Sequence, residues 1–256
     1  MTPLPQSSQM RASLRRAKAG GERFLGGVMP GATARRLQAR AFADDWAAAN
    51  IVAQHATGPL WVVLGDSASQ GIGATTRDAG YVGVVHEVLR RRDAWRVINL
   101  SRAGAGITDV LARQLPELAQ LTEEEPAALV TCVVGAEDVA RRTAGVEVAL
   151  RSMLAAMPRG AVIGTVPLAG PAAEAANAVI REEVVRHGLR VADLGIVSGG
   201  AAPRGRESVR INDVGHAAWA RIMVAAIDNP APNSDPTPPQ GIPQVAGGAP
   251  EDAADG

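Results

Sequence analysis

Leu60-Trp61-Val62-Val63-Leu64-Gly65-Asp66-Ser67-Ala68-Ser69-Gln70-Gly71-Ile72-Gly73 is an unbroken apolar run that ends in a glycine and then turns polar. Five consecutive apolar residues with β-branched members fit a strand covered on both faces, not one with a wet side. Gly65 permits a sharp turn. Ser67 is read as opening the next helix, with its own N–H pointing outward as an anion donor. A serine at such a position is also an ordinary helix N-cap, so the tripeptide by itself does not define a function. It is not the G-x-S-x-G elbow, and no Gly-Lys-Ser/Thr follows to make a phosphate loop.

Working outward, the same alternation repeats. Strands are expected at Leu60–Leu64, Arg96–Leu100, Ala128–Val134, Val162–Val166 and Arg190–Leu194. Helices are expected at Tyr81–Arg91, Asp109–Gln120, Asp138–Met157, Ala172–His187 and Asp213–Ile227. This predicts an α/β fold: three layers, flavodoxin-like, a five-stranded parallel sheet with helices on both faces and strand order 2-1-3-4-5. Sites in such folds form outside the carboxyl ends of the strands. The polar residues that follow each strand are therefore the candidates.

The flanks divide the chain further. Residues 1–31 are basic and Gly-punctuated, with Arg11, Arg15, Arg16, Lys18 and Arg23, and are expected to be flexible. Residues 32–58 hold an accessory helix, with Leu37, Phe42, Trp46 and Ile51 as candidate contacts. The main domain is expected at 60–228. Residues 229–256 are Pro-, Gly- and Asp-rich and cannot bury enough apolar surface to order themselves.

Composition narrows the function classes. Lys plus Arg and Asp plus Glu both number 26, so the formal net charge is zero and no global field favours nucleic acid or an anionic membrane. Aromatic residues make up 3% of the chain, too few for a base-stacking platform. Cys132, the single cysteine, sits in an apolar run and reads as core. No window approaches the length of about 18 apolar residues needed to span a bilayer. A cytoplasmic location is expected, with peripheral attachment through the basic start as the alternative. No cofactor and no metal spacing is read from the sequence. The expected partner is a small ester or acyl-type ligand, with no nucleic acid.

Four polar segments follow strands or precede the last helix: Gly65-Asp66-Ser67, Ser101-Arg102-Ala103-Gly104, Gly135-Ala136-Glu137-Asp138, and Asn212-Asp213-Val214-Gly215-His216. In this order they resemble the blocks of the SGNH (GDSL-type) hydrolase superfamily, over Leu60 to Ile227. The resemblance implies a serine ester hydrolase scaffold. In it Ser67 attacks an ester carbonyl, and the oxyanion is held by the N–H groups of Ser67 and Gly104 and by an asparagine side chain. Here the asparagine's position is Glu137. A carboxylate has no N–H to give, and losing one oxyanion donor costs on the order of a hundred- to a thousand-fold in rate.

The last block admits two registers. In the first, Asp213 and His216 are the catalytic dyad, and the protein is an active serine esterase or acyl hydrolase. In the second, the segment is the one that trails the catalytic histidine. The replaced triad positions are then Glu207 and Arg210, and a guanidinium cannot act as a base. The second register is preferred because Asn212-Asp213 makes a good helix start. It implies a catalytically impaired, pseudoenzyme-like member, and an ion pair between Glu137 and Arg210 across the former site, with Glu207 competing. A phosphate- or nucleotide-binding role is the weakest reading, for want of a phosphate loop.

Overall fold

The computed structural model describes residues 32–195 and 211–229. The N-terminal basic segment, Glu207, Arg210 and the residues from 230 onward lie outside the described residues. In chain order the elements are α1 (Ala32–Gln54), β1 (Leu60–Gly65), α2 (Tyr81–Arg90), β2 (Arg96–Asn99), then α3. The last of these is a helix in three pieces, Ile107–Asp109, the π-helical Val110–Gln114 and Leu115–Leu121. There follow β3 (Leu129–Val133), α4 (Ala136–Arg141), α5 (Val146–Ala155), β4 (Val162–Gly164), α6 (Pro171–Arg186), β5 (Arg190–Ala192) and α7 (Asp213–Asp228).

The five strands are all parallel, in the order β2-β1-β3-β4-β5, as the alternation predicts. The sequence explains why β1 is central. All six of its residues are buried, and they alternate between the two layers. Leu60, Val62 and Leu64 pack under α3, α5 and α6, while Trp61 and Val63 face α2 and α7. Cys132 is buried in the first of these clusters, and burial pushes its thiol pKa up, so it is a core residue.

Two expectations need correction. A single helix over Asp138–Met157 does not form. Arg142 adopts a left-handed conformation (φ 54°) and Gly145 another (φ 75°), and together they separate α4 from α5. In α1, Phe42 and Trp46 are buried, each 4% exposed, but Leu37 (51%) and Ile51 (60%) face solvent. The reason is the stripe. Gln38, Phe42, Trp46 and Asn50 recur every fourth residue and so share one face. That face lies along β2, where Asn50 brackets the backbone of Asn99, donating to its C=O and accepting from its N–H, both at 2.9 Å. The sheet edge at β2 is thus capped by a side chain that imitates a neighbouring strand.

Candidate active site around Ser67

The turn after β1 is held from several sides. Gly65 has φ 137°, and a Cβ there would lie 2.2 Å from the Val133 carbonyl oxygen, so only glycine fits. Its N–H donates to Gln114 Oε1 at 2.8 Å and its C=O accepts from Gln114 Nε2 at 2.9 Å. Gln114 is wholly buried in the π-helical piece of α3, an irregularity common at functional sites. Beyond Gly65 the chain does not enter a helix. Residues 66–72 form hydrogen-bonded turns, with Gln70 N–H on Asp66 O and Ile72 N–H on Ser67 O, and α2 begins only at Tyr81. The expectation that Ser67 opens a helix is therefore wrong. Two glycines, Gly71 (φ 88°) and Gly73 (φ 103°), take left-handed conformations that a helix cannot absorb.

Outside contacts fix this turn. Trp46 donates to the Gln70 carbonyl at 3.2 Å, Gln70 to the Ser101 carbonyl at 2.8 Å, and Asn99 to the Ser69 carbonyl at 2.9 Å. Gln38 accepts from Gly73 N–H and donates to Ala74 O. Ser67 itself is half-buried, and among the described residues its hydroxyl has no hydrogen-bond partner.

Ser67 lines a small cavity of about 20 Å³ together with Asp66, Ala136, Glu137, Pro167 and Trp219. The structure thus brings Ser67 and Glu137 together. Gly104 is not among the lining residues. It lies exposed on the loop after β2 with φ 83° and open space where a Cβ would be. Asp138 ties the second and third blocks to each other: its Oδ2 accepts the Ile107 N–H at 3.1 Å. Burial is the main cause that raises the Asp66 carboxyl to about 7, helped by the charges of Glu137 and Asp138 and opposed by the Ala68 N–H on its Oδ1. A larger groove of about 700 Å³ runs between the α4–α5 turn and the start of α6, with Val139, Arg142, Val146, Leu168 and Ala172 among its walls.

In the last block, Asp213 and His216 are bonded to the segment between Ile72 and Tyr81. His216 is fully buried, its Nδ1 accepts the Tyr81 backbone N–H at 3.1 Å, and its Nε2 faces the Ile72 carbonyl at 3.4 Å. With one nitrogen accepting, the other carries the proton and points at a carbonyl. Burial pushes its pKa down to about 4. Asp213 accepts from the Thr75 N–H at 2.7 Å and from the Thr75 hydroxyl at 2.8 Å. Asn212 caps the Gly215 N–H at 3.1 Å. Each polar group of this segment is thus bonded to the backbone of its own helix or to the 72–81 loop.

The chain has four histidines, and all are among the described residues. His86 bonds to the Trp95 carbonyl, His187 ends α6 against Glu183, and His55 follows α1. Glu137 pairs with Arg141, one turn further along α4, at 2.5 Å. The expected Glu137–Arg210 pair has its arginine outside the described residues, as is the competing Glu207.

A profile of the GDSL-like Lipase/Acylhydrolase family matches residues 63–218, well over half of the chain. The chain belongs to that family. Its fold is similar to that of the family's solved relatives. TesA is 24% identical, with a TM-score of 0.54, over 66% of this chain and 98% of TesA. A lipase/acylhydrolase from Enterococcus faecalis is 20% identical, with a TM-score of 0.51, over 66% of this chain and 95% of its own. The acetyl xylan esterase AlAXEase is 17% identical, with a TM-score of 0.51, over 66% of this chain and 99% of its own. Among curated proteins none matches the chain significantly. Among the described residues no helix is long and apolar enough to cross a membrane.

The match begins at residue 63, after α1, so the residues by which α1 grips the Ser67 turn lie outside the family's matched region. Sequence reading missed Gln38, Gln114 and Trp219 as members of the site. The first two carried a usable signal, a primary amide on the stripe of a helix that otherwise buries apolar residues. Trp219 had none, because an indole in the last helix reads as core.

Proposed function

We propose that this GDSL-family chain is a scaffold that binds ester- or acyl-type ligands at Ser67 and turns them over poorly, for want of a histidine base. The observation that carries this reading is the placement of the four histidines. A general base must come within hydrogen-bond reach of the hydroxyl it serves. His216 stands at the matching distance from Asp213 in sequence, but both its ring nitrogens face backbone groups of the 72–81 region, which supports the second register of the last block. Glu137 adds to this, since a carboxylate offers no N–H to a developing oxyanion. In that register the histidine's position is Arg210, whose guanidinium stays protonated and cannot act as a base.

The test is hydrolysis of p-nitrophenyl butyrate by the purified full chain beside Ser67→Ala. Loss of the base in a serine hydrolase costs on the order of a million-fold in kcat, so both proteins are expected at the buffer rate. Turnover by the wild type that disappears in Ser67→Ala would establish an active esterase and sink this reading.

A further inference from the structure

The zero net charge of the chain conceals a division. Residues 1–40 carry eight of the 26 basic side chains and one of the 26 acidic ones, Glu22, so they hold a charge of +7 that the rest of the chain balances. Five of those cations, Arg11, Arg15, Arg16, Lys18 and Arg23, precede α1 in the chain and are interspersed with Met10, Leu14, Phe24 and Leu25. The other three, Arg35, Arg36 and Arg40, belong to α1. Charge divided so unevenly points to an anionic partner for the basic part.

The outer side of α1 narrows the kind of partner. Its inner stripe is taken up by the Ser67 turn and the β2 edge, through Gln38, Trp46 and Asn50. On the other side Leu37, Ala41, Ala48 and Val52 recur at helical spacing and are exposed, with Ile51 next to them. Of the seven large apolar side chains left exposed among the described residues, three are on this one helix: Leu37, Ile51 and Val52. Arg40 stands one turn after Leu37 and Arg36 one turn before Arg40, both exposed. Asp44 and Asp45 are exposed on α1 as well, and with them counted residues 1–54 still carry +5. A nucleic acid would meet the arginines and leave the apolar stripe in water. An anionic bilayer meets both, since its headgroups attract the cations while apolar side chains enter the boundary between headgroup and acyl chain.

We propose that the outer side of α1, with the basic residues that lead into it, docks the protein peripherally on anionic phospholipid bilayers. Arg36 and Arg40 meet headgroup phosphates, and Leu37, Ile51 and Val52 enter the interface. Docked in this way, α1 lies between the bilayer and the Ser67 turn, which it grips through Trp46 and Gln38. The docking does not depend on whether the Ser67 site hydrolyses esters.

The experiment is co-sedimentation of the purified full chain with vesicles of phosphatidylcholine alone and of phosphatidylcholine with phosphatidylglycerol at about 2:1. It is run in about 0.1 M and about 0.5 M salt, with polyuridine tested alongside. Binding is expected to the mixed vesicles only, and to weaken at least about ten-fold at the higher salt. Arg36→Ala with Arg40→Ala is expected to weaken it about 20- to 30-fold, since each cation near the surface contributes about five-fold. Leu37→Gln with Ile51→Gln and Val52→Gln keeps every charge and is expected to weaken it at least about ten-fold. All five side chains are exposed, so the urea midpoints of both variants are expected to stay close to that of the wild type. Should one variant not fold, the other tests the same helix. A full chain that does not sediment with the mixed vesicles overturns the proposal, as does equal sedimentation with the neutral ones. Binding that the triple glutamine variant leaves unchanged assigns it to charge alone and overturns the role of α1. Tighter binding to polyuridine than to the mixed vesicles would make a nucleic acid the partner. A wild-type dimer that the triple variant turns into a monomer would make a second copy of the chain the occupant. Either result overturns the proposal.

Discussion

Asp66→Asn isolates the charge buried directly behind Ser67. The folded-state pKa of Asp66 is about 7 against an ordinary 3.8, so between those values the folded chain holds a proton that the unfolded chain has lost. The stability associated with neutral Asp66 is therefore fully present below 3.8 and is lost as pH rises through 7. At 1.36 kcal/mol per pKa unit, the whole window amounts to about 4 kcal/mol. The part that falls between pH 5 and pH 8 is about 2.5 kcal/mol. Asparagine keeps a carbonyl oxygen for the Ala68 N–H, which Asp66 Oδ1 now accepts at 2.9 Å, and carries no charge at any pH. The assay is urea unfolding of the wild type and Asp66→Asn at pH 5 and pH 8. His216 titrates in both proteins, so comparing them at each pH removes its contribution. The advantage of the asparagine variant is expected to grow by about 2.5 kcal/mol between the two pH values, or roughly 1 M in urea midpoint for a domain of this size. An advantage that is the same at pH 5 and pH 8 would refute the claim that Asp66 is held neutral by burial.

Two further outcomes follow from the same geometry. His216 has its pKa lowered to about 4 from 6.5, so it contributes stability that is complete above 6.5 and lost as pH falls through 4. His216→Phe strands the Tyr81 N–H and is expected to cost about 2 kcal/mol at pH 7. Its penalty relative to the wild type should shrink on acidification to pH 4, read from urea midpoints. Gln114→Leu removes the bracket on Gly65 and leaves the Gly65 N–H buried without a partner, whereas its C=O keeps the Arg102 N–H. The expected cost is about 2 kcal/mol with faster hydrogen exchange at Gly65, and unchanged protection there would argue against the bracket.

What the sequence determined by itself was local and periodic. The continuous apolar strands, their spacing, and the glycine and serine after the first of them were enough to place five parallel strands in the right order with Ser67 at a strand's carboxyl end. These features follow from burial on both faces and from the handedness of the crossovers, which every strand–helix unit carries within about 30 residues. The Asn212-Asp213 helix start was legible for the same reason, since a cap acts within one turn. Tertiary structure decided the rest, because each remaining feature joins residues far apart in the chain. Which stripe of α1 is buried depends on the β2 edge it lies against, so Leu37 and Ile51 could not be told from Phe42 and Trp46. Gln114 meets Gly65 across 49 residues and His216 meets Tyr81 across 135. A histidine three residues after an aspartate looks the same in sequence whether its nitrogens face a serine or a backbone. Only packing distinguishes the two, by burying the ring against Tyr81 and Ile72 and leaving it no free edge.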